Sequence, residues 1–110
     1  MVHSKTDLFP EELQQKAEYF KALGHPARLA ILRYLAQTKM CITGDISESL
    51  PLGRTTVNQH LLELKKAGFI QGIIQGSRTR YCLNPDKIDD LKNISSEFFT
   101  EISEYEDPYC

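Results

Sequence analysis

The sequence predicts an α+β fold that is mainly helical, with five helices and one β-hairpin. Apolar residues recur at helical spacing over about residues 10–67 and again over about residues 85–105. Between these stretches, two β-prone runs flank the turn Gly76-Ser77-Arg78. The 110 residues, of which 41% are hydrophobic and 25% charged, suit one ordinary globular domain, so we treat residues 1–110 as a single unit.

The first two helices meet at Gly24-His25-Pro26. Pro10 suits the first turn of the first helix. At the junction, glycine and proline end one helix and begin the next, and we expect His25 to cap or to pack there. The apolar residues of the first helix are Leu13, Ala17, Phe20 and Leu23, and those of the second are Leu29, Ile31, Leu32 and Leu35.

A helix-turn-helix is predicted over about residues 43–67. Cys41-Ile42 reads as a short extended piece, and Thr43 can cap a short third helix. The tight turn Pro51-Leu52-Gly53 leads into a fourth helix that begins at Arg54. Two helices joined by so short a turn form the helix-turn-helix motif.

The fourth helix carries side chains suited to reading duplex DNA. Its inward stripe is Val57, Leu61 and Leu64, and a left-handed cap ends it at Gly68. Arginine can pair with guanine, asparagine or glutamine with adenine, and threonine near a helix N-terminus with phosphate oxygens. We expect His60 to be half core and half DNA-facing. The predicted DNA-contacting residues of this helix are Arg54, Thr55, Thr56, Asn58, Gln59 and His60.

A basic hairpin follows that helix, over about residues 69–83. Arg78 and Arg80 share one face of its second strand, because side chains alternate along a strand. Residues 54–80 hold five basic residues against one acid, whereas residues 86–107 hold eight acids against two lysines. The charge of the chain is −2 in total, but its distribution predicts that the helix and hairpin meet phosphates.

Asn84-Pro85 begins a long last helix whose apolar stripe exceeds what one small domain needs to cover. The stripe consists of Ile88, Leu91, Ile94, Phe98, Ile102 and Tyr105. The first helix offers Leu13, Ala17 and Phe20 as a second apolar surface. We therefore predict a homodimer, whose two-fold symmetry would match a palindromic site on double-stranded DNA.

Three stretches, GHPARLAILRYL, LPLGRTTVNQHLLELKKAGFI and GSRTRYCLN, resemble the ArsR/SmtB family of winged helix-turn-helix repressors. The resemblance covers about residues 10–105. It implies a dimeric bacterial repressor that a metal, metalloid or other signal releases from its operator. It also implies that the hairpin is the wing, and that helices at about residues 10–23 and 85–105 form the dimer.

The inducer sites familiar in that family are not intact in this sequence. Many of its arsenic and cadmium sensors carry a Cys-x-Cys pair near the third helix, where this chain has Cys41 and Thr43. Its zinc sensors use aspartate and histidine in the last helix, which here has no histidine. The resemblance therefore leaves the inducer of this chain open.

A thiol switch is one possibility. If the extended piece pairs with the second wing strand, Cys41 and Cys82 would face each other at a Cβ separation of about 4.5–5.5 Å. Two such thiols can bind trivalent arsenic or another soft metal, or can close into a disulfide. Cys110 could supply a third thiolate. The alternative is three unrelated cysteines, two packed and one exposed.

Two further functions stay open, a redox-sensing repressor and a winged-helix protein-interaction module without DNA. Arg54, Arg78 and Arg80 disfavour the interaction module, because a protein-binding face more often carries exposed aromatic residues. The sequence has no nucleophile–base pair and no glycine-rich phosphate loop, so we do not expect an enzyme. Without a secretory signal or an apolar run of about 20 residues, we expect a cytoplasmic protein with no membrane partner.

Overall fold

The computed structural model describes residues 5–38, 42–43, 50–75 and 78–104. A short 3-10 helix, Lys5–Leu8, precedes the α-helices. The α-helices are α1 (Glu11–Ala22), α2 (Pro26–Thr38), α3 (Arg54–Ala67) and α4 (Pro85–Ser103), and the strands are β1 (Ile42–Thr43), β2 (Ile70–Gln75) and β3 (Arg78–Leu83). Within the described ranges, no helix is both long and apolar enough to cross a membrane.

The prediction of five helices is wrong for the described part of the chain, which holds four α-helices. The helix expected after Thr43 falls mainly on residues 44–49, which lie outside the described residues. Thr43 itself, predicted to cap that helix, belongs to β1 because it pairs with Arg80 of β3. The mainly helical α+β class is confirmed.

The three strands form one antiparallel sheet in the order β1-β3-β2. In the hairpin, Ile70 lies opposite Leu83 and Gln75 opposite Arg78. On the other edge of β3, Ile42 lies opposite Tyr81. The predicted pairing of the early extended piece with the second wing strand is therefore confirmed.

Gly68 ends α3 in the left-handed conformation, with φ of 88°, as the sequence predicted. Its amide donates to the carbonyl of Lys65, and the amide of Phe69 donates to the carbonyl of Leu64, both at 3.0 Å. The carbonyl of Phe69 then accepts from the amide of Asn84 at 2.9 Å. One residue thus links the end of α3 to the residue before α4.

The hydrophobic core lies where α1, α2, α3 and the root of the hairpin meet. Phe69, which is fully buried, packs against Tyr19 with 5.8 Å between ring centroids. In α2 the inward residues are Ala27, Ile31 and Leu35, so the predicted contribution of Leu29 is wrong. The core cluster consists of Tyr19, Ile31, Leu35, Val57, Leu61, Leu64, Phe69 and Ile70.

Candidate nucleic-acid interface

Helix α3 buries one face and exposes the opposite one. Val57, Leu61 and Leu64 point into the core, which confirms the predicted inward stripe. Five of the six residues predicted to contact DNA from this helix lie on its exposed surface. They are Arg54, Thr55, Thr56, Asn58 and Gln59.

Two neighbours bound the exposed face of α3. On one side, Lys65 reaches the hairpin, where its Nζ lies 3.2 Å from the position that a Cβ on Gly72 would occupy. On the other side, Glu63 and Lys66 line a cleft together with Tyr19 of α1. Successive residues of an α-helix rotate by about 100°, so the sector between these neighbours points away from the domain. Between Lys65 and Glu63, that sector carries Asn58, Leu62, Thr55, Lys66 and Gln59.

The sixth residue, His60, is buried, with only 8% of its surface exposed. Its Nδ1 accepts a hydrogen bond of 3.1 Å from Nε of Arg28 on α2. The prediction that His60 partly faces DNA is therefore wrong. The residue lies three positions after Val57 and four before Leu64, which puts it on the inward stripe, and Arg28 satisfies the buried ring nitrogen.

His25 completes this cluster at the start of α2. Its Nδ1 accepts from the backbone amide of Ala27 at 3.0 Å, which confirms the predicted capping role. Its ring lies 4.3 Å from that of His60, centroid to centroid. Arg28 also donates from Nη1 to the carbonyl of Ala22 at 3.1 Å. The cluster joins the end of α1, the start of α2 and the middle of α3.

Burial lowers the pKa of His60 below its ordinary value of 6.5, and the nearby charges of His25 and Arg28 lower that pKa further. The neutral ring suits the Nδ1 acceptor role. Because its Nδ1 accepts a hydrogen bond, the neutral His60 ring keeps its proton on Nε2 and offers no free lone pair to a metal. Among the described residues, no group of three or more side chains could hold a metal ion.

Both basic residues predicted for the wing lie on β3. Arg78 pairs with Gln75 at the tip end of β3, and Arg80 lies between Ile73 on one side and Thr43 on the other. Arg80 is half-buried, and the turn residues 76–77 lie outside the described residues.

Of the three cysteines considered for a thiol switch, only Cys82 lies in the described part of the chain. It is half-buried in β3, lies opposite Gln71 of β2 and is disulfide-bonded. Cys41 and Cys110 fall outside the described residues.

An apolar surface joins α1 to α4, and we call it the α1–α4 patch: Leu13, Phe20, Phe98, Phe99 and Ile102. The ring of Phe20 lies 6.0 Å from that of Phe98 and 6.4 Å from that of Phe99. Phe99 and Ile102 are 58% and 54% exposed, and none of the residues of α4 is buried. Four of the nine residues predicted for the dimer surface, Leu13, Phe20, Phe98 and Ile102, lie in this patch, and Phe99 is an addition that was not predicted.

An exposed polar helix followed by an antiparallel hairpin is the winged helix-turn-helix arrangement of DNA-binding transcription regulators. Residues 25–71 match the family model described as bacterial regulatory protein, arsR family. The chain belongs to the ArsR family of transcriptional regulators.

Two relatives are similar to this chain in sequence, and one solved structure is similar to it in fold. The HTH-type transcriptional regulator MJ1325 of Methanocaldococcus jannaschii is 35% identical over 88 residues, which are 79% of this chain and 98% of that protein. The HTH-type transcriptional repressor SmtB of Mycobacterium tuberculosis is 33% identical over 73 residues, 66% of this chain and 53% of the repressor. The solution structure of the homodimeric winged helix-turn-helix DNA-binding domain of Mb0332 from Mycobacterium bovis has a TM-score of 0.60 at 23% identity, covering 96% of this chain and 93% of that domain.

Proposed function

We propose that this protein is a homodimeric repressor that binds a palindromic operator through α3 and the wing. The observation that carries the proposal is the outward face of α3, which exposes Thr55 and Gln59 between the hairpin and α1. Such a face fits the major groove, while the basic wing adds contacts to the phosphate backbone. The SmtB relative is a transcriptional repressor, which supports repression rather than activation.

The α1–α4 patch supports a dimer. Its aromatic rings are in mutual contact, yet Phe99 and Ile102 remain more than half exposed. A second copy with the same patch would cover them by two-fold symmetry, and the similar Mb0332 domain is homodimeric. Two recognition helices about one DNA turn apart would then read two half-sites.

DNA binding is tested by selecting duplexes from a random library and measuring their affinity by fluorescence anisotropy. We expect the selected sites to be palindromic. Arg54→Ala should lose about 1–3 kcal/mol of binding free energy and relax the preference at one base pair in each half-site. Arg33→Ala, which removes the same charge from an exposed position on α2, is the matched control. A wild-type protein that enriches no sequence would favour the protein-interaction module instead.

For the inducer we propose a thiol switch formed by Cys82 and Cys41. The disulfide state of Cys82 supports it. So does the strand register: Ile42 lies opposite Tyr81, and continuing the antiparallel pairing by one residue would set position 41 opposite Cys82. Directly opposed residues have Cα atoms about 4.5–5.5 Å apart, within the range that a disulfide requires.

The switch is a two-electron oxidation. Both thiols lose their protons, a bond forms between the two sulfurs, and the two electrons reduce an oxidant such as hydrogen peroxide to water. In the reduced state the same two thiolates could instead bind trivalent arsenic, because soft ions prefer thiolate ligands. Either event would tie β3, which leads into α4, to the segment that leads into the helix-turn-helix.

Operator affinity should distinguish these events. We expect hydrogen peroxide to weaken binding by the wild type, and a reductant to restore it. Cys41→Ser and Cys82→Ser should not respond, whereas Cys110→Ser should respond as the wild type does. Release by arsenite under reducing conditions, absent in Cys82→Ser, would instead favour the metalloid as inducer. A response to both agents that persists in Cys41→Ser would contradict the switch.

A further inference from the structure

Leu62 is an apolar side chain on the face of α3 that is otherwise polar. It is 52% exposed and does not belong to the core cluster. One helical turn before it lie Asn58 and Gln59, and one turn after it lies Lys66, all three exposed. The leucine therefore interrupts a row of hydrogen-bonding side chains at its centre.

The direction of Leu62 follows from the packing of its neighbours. Lys65 marks the side of α3 that faces the hairpin, and Glu63 marks the side that faces α1. At about 100° per residue, Leu62 lies between these two directions and close to that of Thr55. It thus points where the proposed DNA would lie.

A single exposed leucine is common on protein surfaces and carries no function by itself. Leu29 of α2 is exposed to the same extent as Leu62, 52%, so exposure alone does not distinguish the two leucines. The difference lies in the surroundings, because Leu62 shares its face with residue types that bond base edges. Burying an apolar side chain in the major groove is favourable only where the DNA offers an apolar group in return.

We propose that Leu62 reads the 5-methyl group of a thymine in each half-site, an inference that rests on the proposed operator binding. The thymine methyl is the apolar group that base pairs present in the major groove. Leu62 follows Thr55 by seven residues, a rise of about 10.5 Å along α3. With α3 lying along the major groove, and at about 3.4 Å per base pair, the thymine lies about three steps from the base pair nearest Thr55.

The experiment removes the methyl group from the DNA and the leucine from the protein. Duplexes selected by the wild type are resynthesised with each thymine replaced in turn by deoxyuridine, which lacks only the methyl. We expect one position in each half-site at which the wild type binds about fourfold more weakly, the factor for one buried methyl-sized group. Leu62→Ala should bind the thymine and deoxyuridine duplexes equally, whereas Leu62→Met and the matched control Leu29→Ala should keep the discrimination.

The possible outcomes separate a failure of the Leu62 inference from a failure of the proposed function. Wild-type protein that tolerates deoxyuridine at every thymine overturns the inference whether or not the variants fold. Leu62→Ala that retains the full discrimination, or weakens all duplexes alike, also overturns it. In both cases sequence-specific binding by the wild type would leave the proposed function standing. If the wild type binds no duplex, the proposed function itself fails.

Discussion

Mild acid should destabilise the protein through His60. This ring is buried, and its Nδ1 accepts a hydrogen bond from Arg28 only while that nitrogen is unprotonated. Burial and the neighbouring charges of His25 and Arg28 hold the pKa of His60 below 6.5 in the folded protein, whereas the unfolded chain has the ordinary value. Below about pH 6.5 the unfolded chain therefore binds more protons, so the stabilising contribution is complete above that pH and declines as the pH falls.

Linkage sets the size of the effect. One proton of difference between the unfolded and folded states changes the free energy of unfolding by about 1.4 kcal/mol per pH unit. From pH 7.5 to 5.5, His60 should therefore cost at most about 1.4 kcal/mol, of which about 1 kcal/mol is lost below pH 6.5. A protonated His60 would also place a second positive charge beside the guanidinium of Arg28.

Urea unfolding at pH 7.5, 6.5 and 5.5 measures this loss. The matched variant is His60→Asn, because the amide oxygen of asparagine can accept from Arg28 while the side chain does not titrate. We expect the wild type to lose more stability than the variant over this range, by up to about 1.4 kcal/mol. If both proteins show the same pH dependence, burial of a neutral His60 is not what links the stability of this fold to pH.

Three further predictions concern assembly, DNA contact and the end of α3. Phe99→Glu should give a monomer by light scattering at micromolar concentration, whereas Thr100→Glu, on another face of α4, should remain dimeric; equal masses would refute the α1–α4 patch as the dimer surface. Arg80→Ala should weaken binding to all duplexes and reduce the salt slope by about one, unless the wing does not contact phosphate. Gly68→Ala should lose about 1–2 kcal/mol in urea unfolding, because φ there is 88° and the added Cβ would lie 3.1 Å from a lysine of α4. Gly53→Ala, where φ is −72° and nothing lies within 4 Å of the added Cβ, should lose less.

Local signals in the sequence were sufficient to predict α3 and the hairpin. Arg54 begins the helix after a turn and Gly68 ends it in the left-handed conformation that glycine adopts without strain, so both ends were predicted correctly. The pairing of β1 with β3 was also anticipated, because in the winged-helix fold that the sequence resembles the early extended piece pairs with the second wing strand. The exposed polar face of α3 followed from the period of its apolar residues alone.

Contacts between residues distant in the sequence determine which side chains are buried, and the sequence pattern did not predict those contacts. His60 lies at the edge of the apolar stripe, and Arg28, 32 residues earlier in the chain, determines that its ring is buried. In α1 the buried residue is Tyr19, because Phe69 packs against it, while the predicted stripe of that helix contributes Phe20 to a surface with α4. Leu62 was overlooked because an isolated leucine on a polar face has no local signature of its role.

The hydrogen bond from the amide of Asn84 to the carbonyl of Phe69 closes the base of the wing. The two ends of the hairpin are thus held together at its base. The spacing of α3 and α4 is set at that base and does not depend on the length of the hairpin. Residues inserted at or deleted from the tip would lengthen or shorten the hairpin without moving either helix. The reach of the wing along DNA can therefore be altered, in evolution or by design, while the distance from the reading helix to the α1–α4 patch stays constant.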